Sequence, residues 1–475
     1  MNPKPLYING RHVPSGESHP VHNPWDGVHL GDVCLADALQ VESAVASAHA
    51  AFQVTRKMTA DARAAVLENM CTLIAARRSD FVSTIVAEAG KPVAFAEAET
   101  ERTRLTFRFA AALALSDEGH GITMDASAPG AGHFGMVKRF PMGVILGITP
   151  FNFPLNLVAH KVAPCLATGN TMVLKPALKT PLSSLLLAEV LDAAGVPPGQ
   201  INVVPFRHDC IAPLLEDPRI KMVSFTGSAA VGWHLKAKAA RKKVALELGG
   251  NAAIVVEPDC DWRAAIPKIA AAAYGYAGQS CISVQRILVH TDIHDAFREE
   301  LAAYITAKVV AGDPSEKSTI VGPMINAAER EKILGWIDDA QTRGARLLTP
   351  LRIESHSLLG PILLENVPPD CSALCEEAFA PLAVLQRYES FPEALAMVND
   401  SAFGLQAGVF TTDIRKGLLA FEELEVGGVM IGQVPTFRVE NMPYGGVKES
   451  GFGREGVRYS MEEMTEPRSL VINRN

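Results

Sequence analysis

From Met142 onward the chain changes character, and short apolar runs alternate with helical patterns again and again. Runs at 143–148, 171–174, 201–204, 222–225 and 243–246 read as strands, with helical patterns at 155–167, 181–194 and 211–215 between them. That alternation specifies a parallel, doubly wound sheet. Gly195, followed by Pro197-Pro198, stops one of the helices. The alternation resumes after Gly250. Strands are expected at 253–256, 286–290, 345–348, 382–386, 408–410 and 428–431, and helices at 264–276, 296–309, 327–340, 392–398 and 415–424. This half reads as a second α/β domain, and 475 residues exceed what one core usually supports.

The first 140 or so residues are organised differently. A strand at 5–10 enters an Asn9-Gly10 hairpin turn, and Asn23-Pro24-Trp25-Asp26-Gly27 makes a second turn. Amphipathic helices are expected at about 36–52, 61–76, 80–89 and 93–115, with Gly90-Lys91-Pro92 as punctuation. On the last of these, Arg104 and Arg108 share a face at i, i+4 spacing. Residues 119–135, rich in Gly and Ala, read as an extended excursion that leaves the first domain and returns. The terminal strand at 468–472 is isolated in sequence and is expected to pair elsewhere, another subunit being one option.

Composition excludes some partners. Net charge is -8 with both signs mixed and no basic block, which argues against nucleic acid. Residues 1–11 lack an apolar stretch, and the apolar runs around Ile145 and Ala270 are too short or too rich in Gly and Ala to span a bilayer. The expectation is a cytoplasmic chain with no signal peptide and no membrane segment. None of the eight cysteines forms a CxxC pair, and Cys371 and Cys375 lack neighbouring ligands, so no metal site is expected.

Chemistry concentrates in a few segments. Gly278-Gln279-Ser280-Cys281 ends an Ala-rich stretch, and a thiol flanked by small residues can meet an electrophilic carbon. Taken alone, a structural cysteine is the stronger reading. Glu247 stands at a strand end before Gly249-Gly250, where a carboxylate can reach a ligand and activate water, or simply cap a turn. Asn152, in the stiff loop Thr149-Pro150-Phe151-Asn152-Phe153-Pro154, can donate to an oxyanion or satisfy its own loop. Lys175 at another strand end suits a ribose or phosphate. Gly227-Ser228 opens a helix whose amides suit a pyrophosphate, although no GxGxxG is present.

Taken together and in this order, these segments resemble the aldehyde dehydrogenase superfamily. The resemblance runs from Tyr7 to the last strand and also includes Glu376-Glu377-Ala378-Phe379 and Pro443-Tyr444-Gly445-Gly446-Val447-Lys448-Glu449-Ser450-Gly451. The segments 280–286 and 248–251 are similar to the lactaldehyde, non-phosphorylating glyceraldehyde-3-phosphate and phosphonoacetaldehyde dehydrogenase branch. The resemblance implies a Rossmann-like NAD(P)-binding domain (1–118 and 138–248), an α/β catalytic domain (249–448) and a small β oligomerisation region (119–137 and 449–475). It implies a homodimer or homotetramer. It makes Cys281 the nucleophile, Asn152 and the Cys281 N–H the oxyanion donors, and Glu247 the base that hydrolyses a thioester. For NAD or NADP it implies Thr149, Pro150, Phe151, Lys175, Gly227, Ser228, Glu377 and Phe379.

Three departures from the family pattern stand out. Lys175-Pro176-Ala177-Leu178 lacks the carboxylate that many relatives carry in the last position, so both cofactors are expected to work. Phe206-Arg207-His208-Asp209 replaces a glycine-bearing loop, and Arg207 either meets phosphate or is solvated. Ala380 stands where Gly is common, a change tolerated unless φ must be positive.

Aromatic residues are only 6%, which disfavours a greasy substrate tunnel. The residues expected to meet substrate are Phe153, His160, Arg104, Arg108 and Arg438, and they point to a short polar or anionic aldehyde. The opposing reading pairs these arginines with Glu97, Glu99, Glu101 or Glu440. Succinate semialdehyde and broad-range aliphatic substrates are the alternatives, followed by a coenzyme A-acylating enzyme and a non-catalytic relative.

Overall fold

A computed structural model describes residues 2–116, 119–354 and 357–474. Five parallel strands form the heart of the first sheet, in the spatial order Ile201–Val203, Thr171–Lys175, Val144–Ile148, Ile220–Thr226, Lys243–Glu247. Most of their residues are buried, which is why each reads as an unbroken apolar run. Chain order reverses between Val144–Ile148 and Ile220–Thr226. Ligands in such sheets bind beyond the carboxyl ends at that reversal. Thr149 to Asn152 and Gly227-Ser228 leave the sheet there.

The second sheet has seven strands, in the order Arg346–Leu347, Ile362–Glu365, Leu382–Tyr388, Val284–His290, Ala252–Val256, Gln406–Phe410, Gly428–Ile431. Only the first pair is antiparallel. The chain passes from one sheet to the other through Leu248-Gly249-Gly250-Asn251, directly after Glu247. Cys281 and Glu377 each precede a strand of the second sheet. They therefore approach from its amino ends, facing the carboxyl ends of the first.

Several elements differ from the sequence expectation. The C-terminal strand Thr465–Asn473 pairs along its length with His133–Pro141 of its own chain, and His120–Ile122 completes a three-stranded antiparallel sheet. Isolation in sequence said nothing of this partner more than 300 positions away, as the pairing of Thr465 with Pro141 shows. Gly451–Phe452 joins the edge of the first sheet beside Lys243–Glu247. Strand Ile362–Glu365 was not expected, because Gly360-Pro361 ahead of it reads as a turn. Hairpin Glu17–His22 with His29–Leu35 was hidden by Pro20 and its many polar residues. The Asn9-Gly10 turn is present, with φ of 54° and 71°. No helix of the described residues is long and apolar enough to cross a membrane.

Buried carboxylates tie the N-terminal helices to the first sheet's helices. Glu99, on Val93–Ala114, is 1% exposed. Its Oε1 accepts from the N–H groups of Leu155 (3.0 Å) and Asn156 (3.1 Å), at the start of helix Asn156–Thr168. Its other oxygen pairs with the fully buried Lys91. The Lys91 ammonium lies 3.7 Å above the Phe153 ring and 4.5 Å from the Tyr276 ring. This clamp fixes the loop that carries Asn152. Glu99→Ala strands the Lys91 charge and two N–H groups, and should cost about 3–5 kcal/mol. A urea unfolding midpoint unchanged from wild type would contradict the clamp.

Candidate active site

Helix Trp262–Tyr274 ends in a turn held in left-handed backbone: Tyr276 (φ 53°), Ala277 (54°) and Gly278 (65°). Non-glycine residues pay for that conformation, and such strain concentrates at functional sites. Gln279 straps the turn down. Its Oε1 accepts from the Ile325 N–H (2.8 Å), its Nε2 donates to the Pro323 carbonyl (3.2 Å), and its own carbonyl accepts from Asn152 Nδ2 (3.0 Å). Cys281 is thereby presented, half-buried, to a cavity of about 420 Å3.

The Cys281 Sγ lies 2.8 Å from the Tyr444 hydroxyl. Burial pushes the thiol up to about 12. The Tyr444 hydrogen bond and the Arg438 charge pull it down, and Glu377 and Glu247 push it further up. Glu247 is 3% exposed and its Oε2 has no hydrogen-bond partner among the described residues. Burial, reinforced by Glu455, raises its carboxyl well above the usual range. Glu455 goes the other way. Burial alone would raise it, but the charges of Lys161, at 2.9 Å, and Arg438 hold it low. Of these two carboxyls, Glu455 carries the charge and Glu247 the proton. Asn152 spends one N–H on Gln279, and its amide carries a second.

The far wall suits a dinucleotide. Pro150, Phe151, Gly227 and Ser228 line it. Ser228 stands at the N-terminus of helix Ala229–Lys238 without spending its side chain as a cap, and the Thr226 hydroxyl has no partner among the described residues. Glu377 accepts from the Gly250 N–H at 2.9 Å. Burial lifts its carboxyl to about 7 against the pull of that N–H. A side chain at Gly249 would strike this carboxylate and displace it. Phe379 meets Phe151 edge-on at 5.8 Å. Phe379 holds the positive φ (51°), and Ala380 does not, so the missing glycine there costs nothing. Lys175, 2% exposed, lies outside this cavity at its strand end, and burial lowers it to about 8. Thr149 also stays outside, its N–H donating to the Lys175 carbonyl at 3.2 Å. Arg207 pairs with Glu17 at 3.3 Å, both exposed, which is the solvated reading.

The substrate side requires correction. Phe153 and Arg438 line the cavity, but Arg104, Arg108 and His160 do not. Arg104 grips Glu101 with two hydrogen bonds of 2.9 and 2.6 Å, and Arg108 lies against Phe109 at 5.5 Å. Spacing identified a shared helix face but not which face turns inward. That face carries Glu99, Thr103, Thr106 and Phe107, and the arginine beside it is Arg102, which does line the cavity. His160, 1% exposed, is bonded to Glu440 behind Arg438. Burial and the Arg438 charge lower it, so it is a neutral support and not an anion ligand. Sequence reasoning also missed the contact of Tyr444 with the thiol. Its motif was visible, but no spacing rule assigns that hydroxyl a partner. Among the described residues, no group of three His, Cys, Asp or Glu is arranged to hold a metal.

The aldehyde dehydrogenase family profile matches residues 12–470. A 3-sulfolactaldehyde dehydrogenase from Priestia aryabhattai is 39% identical over 470 residues, covering 98% of each chain. Aldehyde dehydrogenase 21 from Physcomitrella patens, solved with the reaction product succinate, superposes with a TM-score of 0.96 at 38% identity, covering 100% of this chain and 99% of that one. The NADP-dependent glyceraldehyde-3-phosphate dehydrogenase from Bacillus halodurans C-125, complexed with NADP, gives 0.96 at 33% identity, covering 100% of both. These names match the branch to which the motifs pointed.

Because burial holds the thiol neutral, alkylation of Cys281 by iodoacetamide should rise about tenfold per pH unit between pH 7 and 9. Peptide mass spectrometry follows the site, and a plateau by pH 8 would contradict the assigned environment.

Proposed function

The chain belongs to the aldehyde dehydrogenase family, and from that premise we propose that it oxidises short aldehydes with an anionic tail to carboxylic acids through Cys281. The observation that carries this reading is one cavity lined by Cys281, Glu247, Asn152 and two arginines, Arg102 and Arg438. The cofactor is NAD or NADP. The chain's residues fit it. The unspent helix N-terminus at Ser228 suits the diphosphate, while Lys175 and Glu377 suit ribose hydroxyls. When bound, the cofactor supplies the hydride acceptor.

The protein's own groups perform the rest. The Cys281 sulfur adds to the carbonyl carbon, and the thiol proton passes to the carbonyl oxygen. The second N–H of the Asn152 amide and the Cys281 backbone N–H stabilise the negative charge that develops on that oxygen. Glu247 takes a proton from the water that releases the acid, once it has lost its own. A coenzyme A acceptor would need no such base. The Arg438 Nε is buried with no hydrogen-bond partner among the described residues, and the Arg438 side chain lines a cavity that Arg102 shares. A carboxylate, sulfonate or phosphate tail in that cavity is matched in charge by the two guanidinium groups. Succinate semialdehyde satisfies the same arginines and is the second reading, favoured by the succinate in the Physcomitrella relative.

The division into cofactor, catalytic and oligomerisation regions, and a cytoplasmic setting, belong to the same proposal. So does a homo-oligomer. Strand Gly428–Ile431 is a sheet edge, and beside it Ile414, Leu418 and Phe421 are 69%, 55% and 70% exposed on one helix. The C-terminal strand is a second edge, with Leu470, Val471 and Ile472 about half exposed.

Reduction of NAD and of NADP should both be detectable with glyceraldehyde 3-phosphate or succinate semialdehyde, and absent in Cys281→Ala. No turnover with NADP at millimolar concentration would refute the reading of Leu178. Arg102→Ala should lower kcat/KM for the anionic aldehydes, relative to propanal, by about tenfold or more. An unchanged ratio would reject anion recognition by this side chain.

A further inference from the structure

The two proposed oxyanion donors come from separate halves of the chain. Asn152 sits on the loop that leaves the first sheet, and the Cys281 N–H on the turn that enters the second. One hydrogen bond joins the halves here, from Asn152 Nδ2 to the Gln279 carbonyl at 3.0 Å. The other end of the amide is not held, since Asn152 Oδ1 is buried with no hydrogen-bond partner among the described residues. A single bond does not fix rotation about itself, so the aim of the second N–H depends on how the loop is anchored.

The corner between helices Arg78–Ala89 and Val93–Ala114 reaches both halves. Toward the first, the Lys91 ammonium lies over the ring of Phe153, the residue after Asn152. Toward the second, the same ammonium lies over the Tyr276 ring. The Tyr276 hydroxyl donates to the Ala89 carbonyl at 3.3 Å, and its N–H donates to the Ile320 carbonyl at 3.0 Å. The Val93 N–H donates to the Pro314 carbonyl at 2.8 Å, and a side chain at Gly322 would strike the Gly90 carbonyl. Gln279 hangs on the same segment, through Pro323 and Ile325. Lys91 is 0% exposed and its ion-pair partner among the described residues is Glu99. Stability does not call for this arrangement, because apolar residues can replace a buried ion pair at little or no cost.

We propose that Lys91 is a positioning residue for the reaction. Its ammonium, attracted to the faces of both rings, holds the Phe153 loop against the Tyr276 turn and so keeps the Asn152 amide in register with the Cys281 N–H. Both donors then meet the same oxygen. The role goes beyond stability, because a small slip of the Asn152 loop weakens the stabilisation of the developing charge while the fold stays intact. The proposal rests on Cys281 as nucleophile and Asn152 as oxyanion donor.

The test combines Lys91→Met with Glu99→Gln, which removes both charges together and keeps an acceptor for the Leu155 and Asn156 N–H groups. The first-turnover rate of NADP reduction is followed against succinate semialdehyde concentration. The rate should fall by about tenfold or more, with half-saturation kept within about threefold. Asn152→Ala should itself lower the rate by about a hundredfold, and adding the pair of changes to it should cost less than about threefold more. Alkylation of Cys281 by iodoacetamide, which develops no oxyanion, should stay within about threefold of wild type. An undiminished rate in the paired variant overturns the proposal. So does a full loss on top of Asn152→Ala, or a matching fall in alkylation. If the paired variant does not fold, Tyr276→Leu, which removes one ring, should be slower than Tyr276→Phe, which keeps it, and equal rates overturn the proposal. A wild type without turnover, or an undiminished Asn152→Ala, overturns the reading of the reaction itself and the proposal with it.

Discussion

The buried guanidinium of Arg438 is the charge on which the rest of the site depends. Its side chain is 6% exposed, a position that a cation holds only when it is surrounded by compensating groups. It stacks on Tyr444 at 3.7 Å, lies 3.3 Å from His160 and stands 4.0 Å from Glu455. Burial alone would lower it, but Glu440, Tyr444, Glu455 and Glu247 hold it up. It helps in turn to keep Glu440 and Glu455 ionised. Glu247 is the carboxyl left without a hydrogen-bonding cation, and it keeps its proton. The free protein therefore holds both its proposed nucleophile and its proposed base in their neutral forms.

The two sheets meet head to tail around this charge. The first offers carboxyl ends, where loops can receive a dinucleotide, and the second offers amino ends, where the chain enters its strands. Left-handed backbone at Tyr276, Ala277 and Gly278 turns the thiol toward that junction. Local sequence does not favour such a turn. It persists because Gln279 and the Lys91–Glu99 clamp determine its surroundings. Precision at the thiol is thus supplied by Gln279 and by partners of it that are far away in the chain.

The five parallel strands of the first sheet were legible to within about two residues, since continuous burial leaves continuous apolar runs. The segments around Asn152, Glu247, Cys281 and Glu377 were legible as motifs, and they converge on one cavity. Side-chain direction was not legible. A single helix carries Arg102, Arg104 and Arg108, and only the burial of the face that carries Phe107 and Glu99 decides which one turns inward. His160 looked like a ligand because its type and position suited one, yet Glu440 claims it. The partner of the last strand is set by a pairing that no local pattern records.

The most direct test of the account is the covalent intermediate. Wild-type protein would be mixed with NADP and glyceraldehyde 3-phosphate, quenched in acid within milliseconds, digested and analysed by mass spectrometry. The account predicts an acyl mass on the peptide that contains Cys281, accumulating further in Glu247→Gln. Turnover with no adduct at Cys281, or with the acyl group on another cysteine, would contradict it.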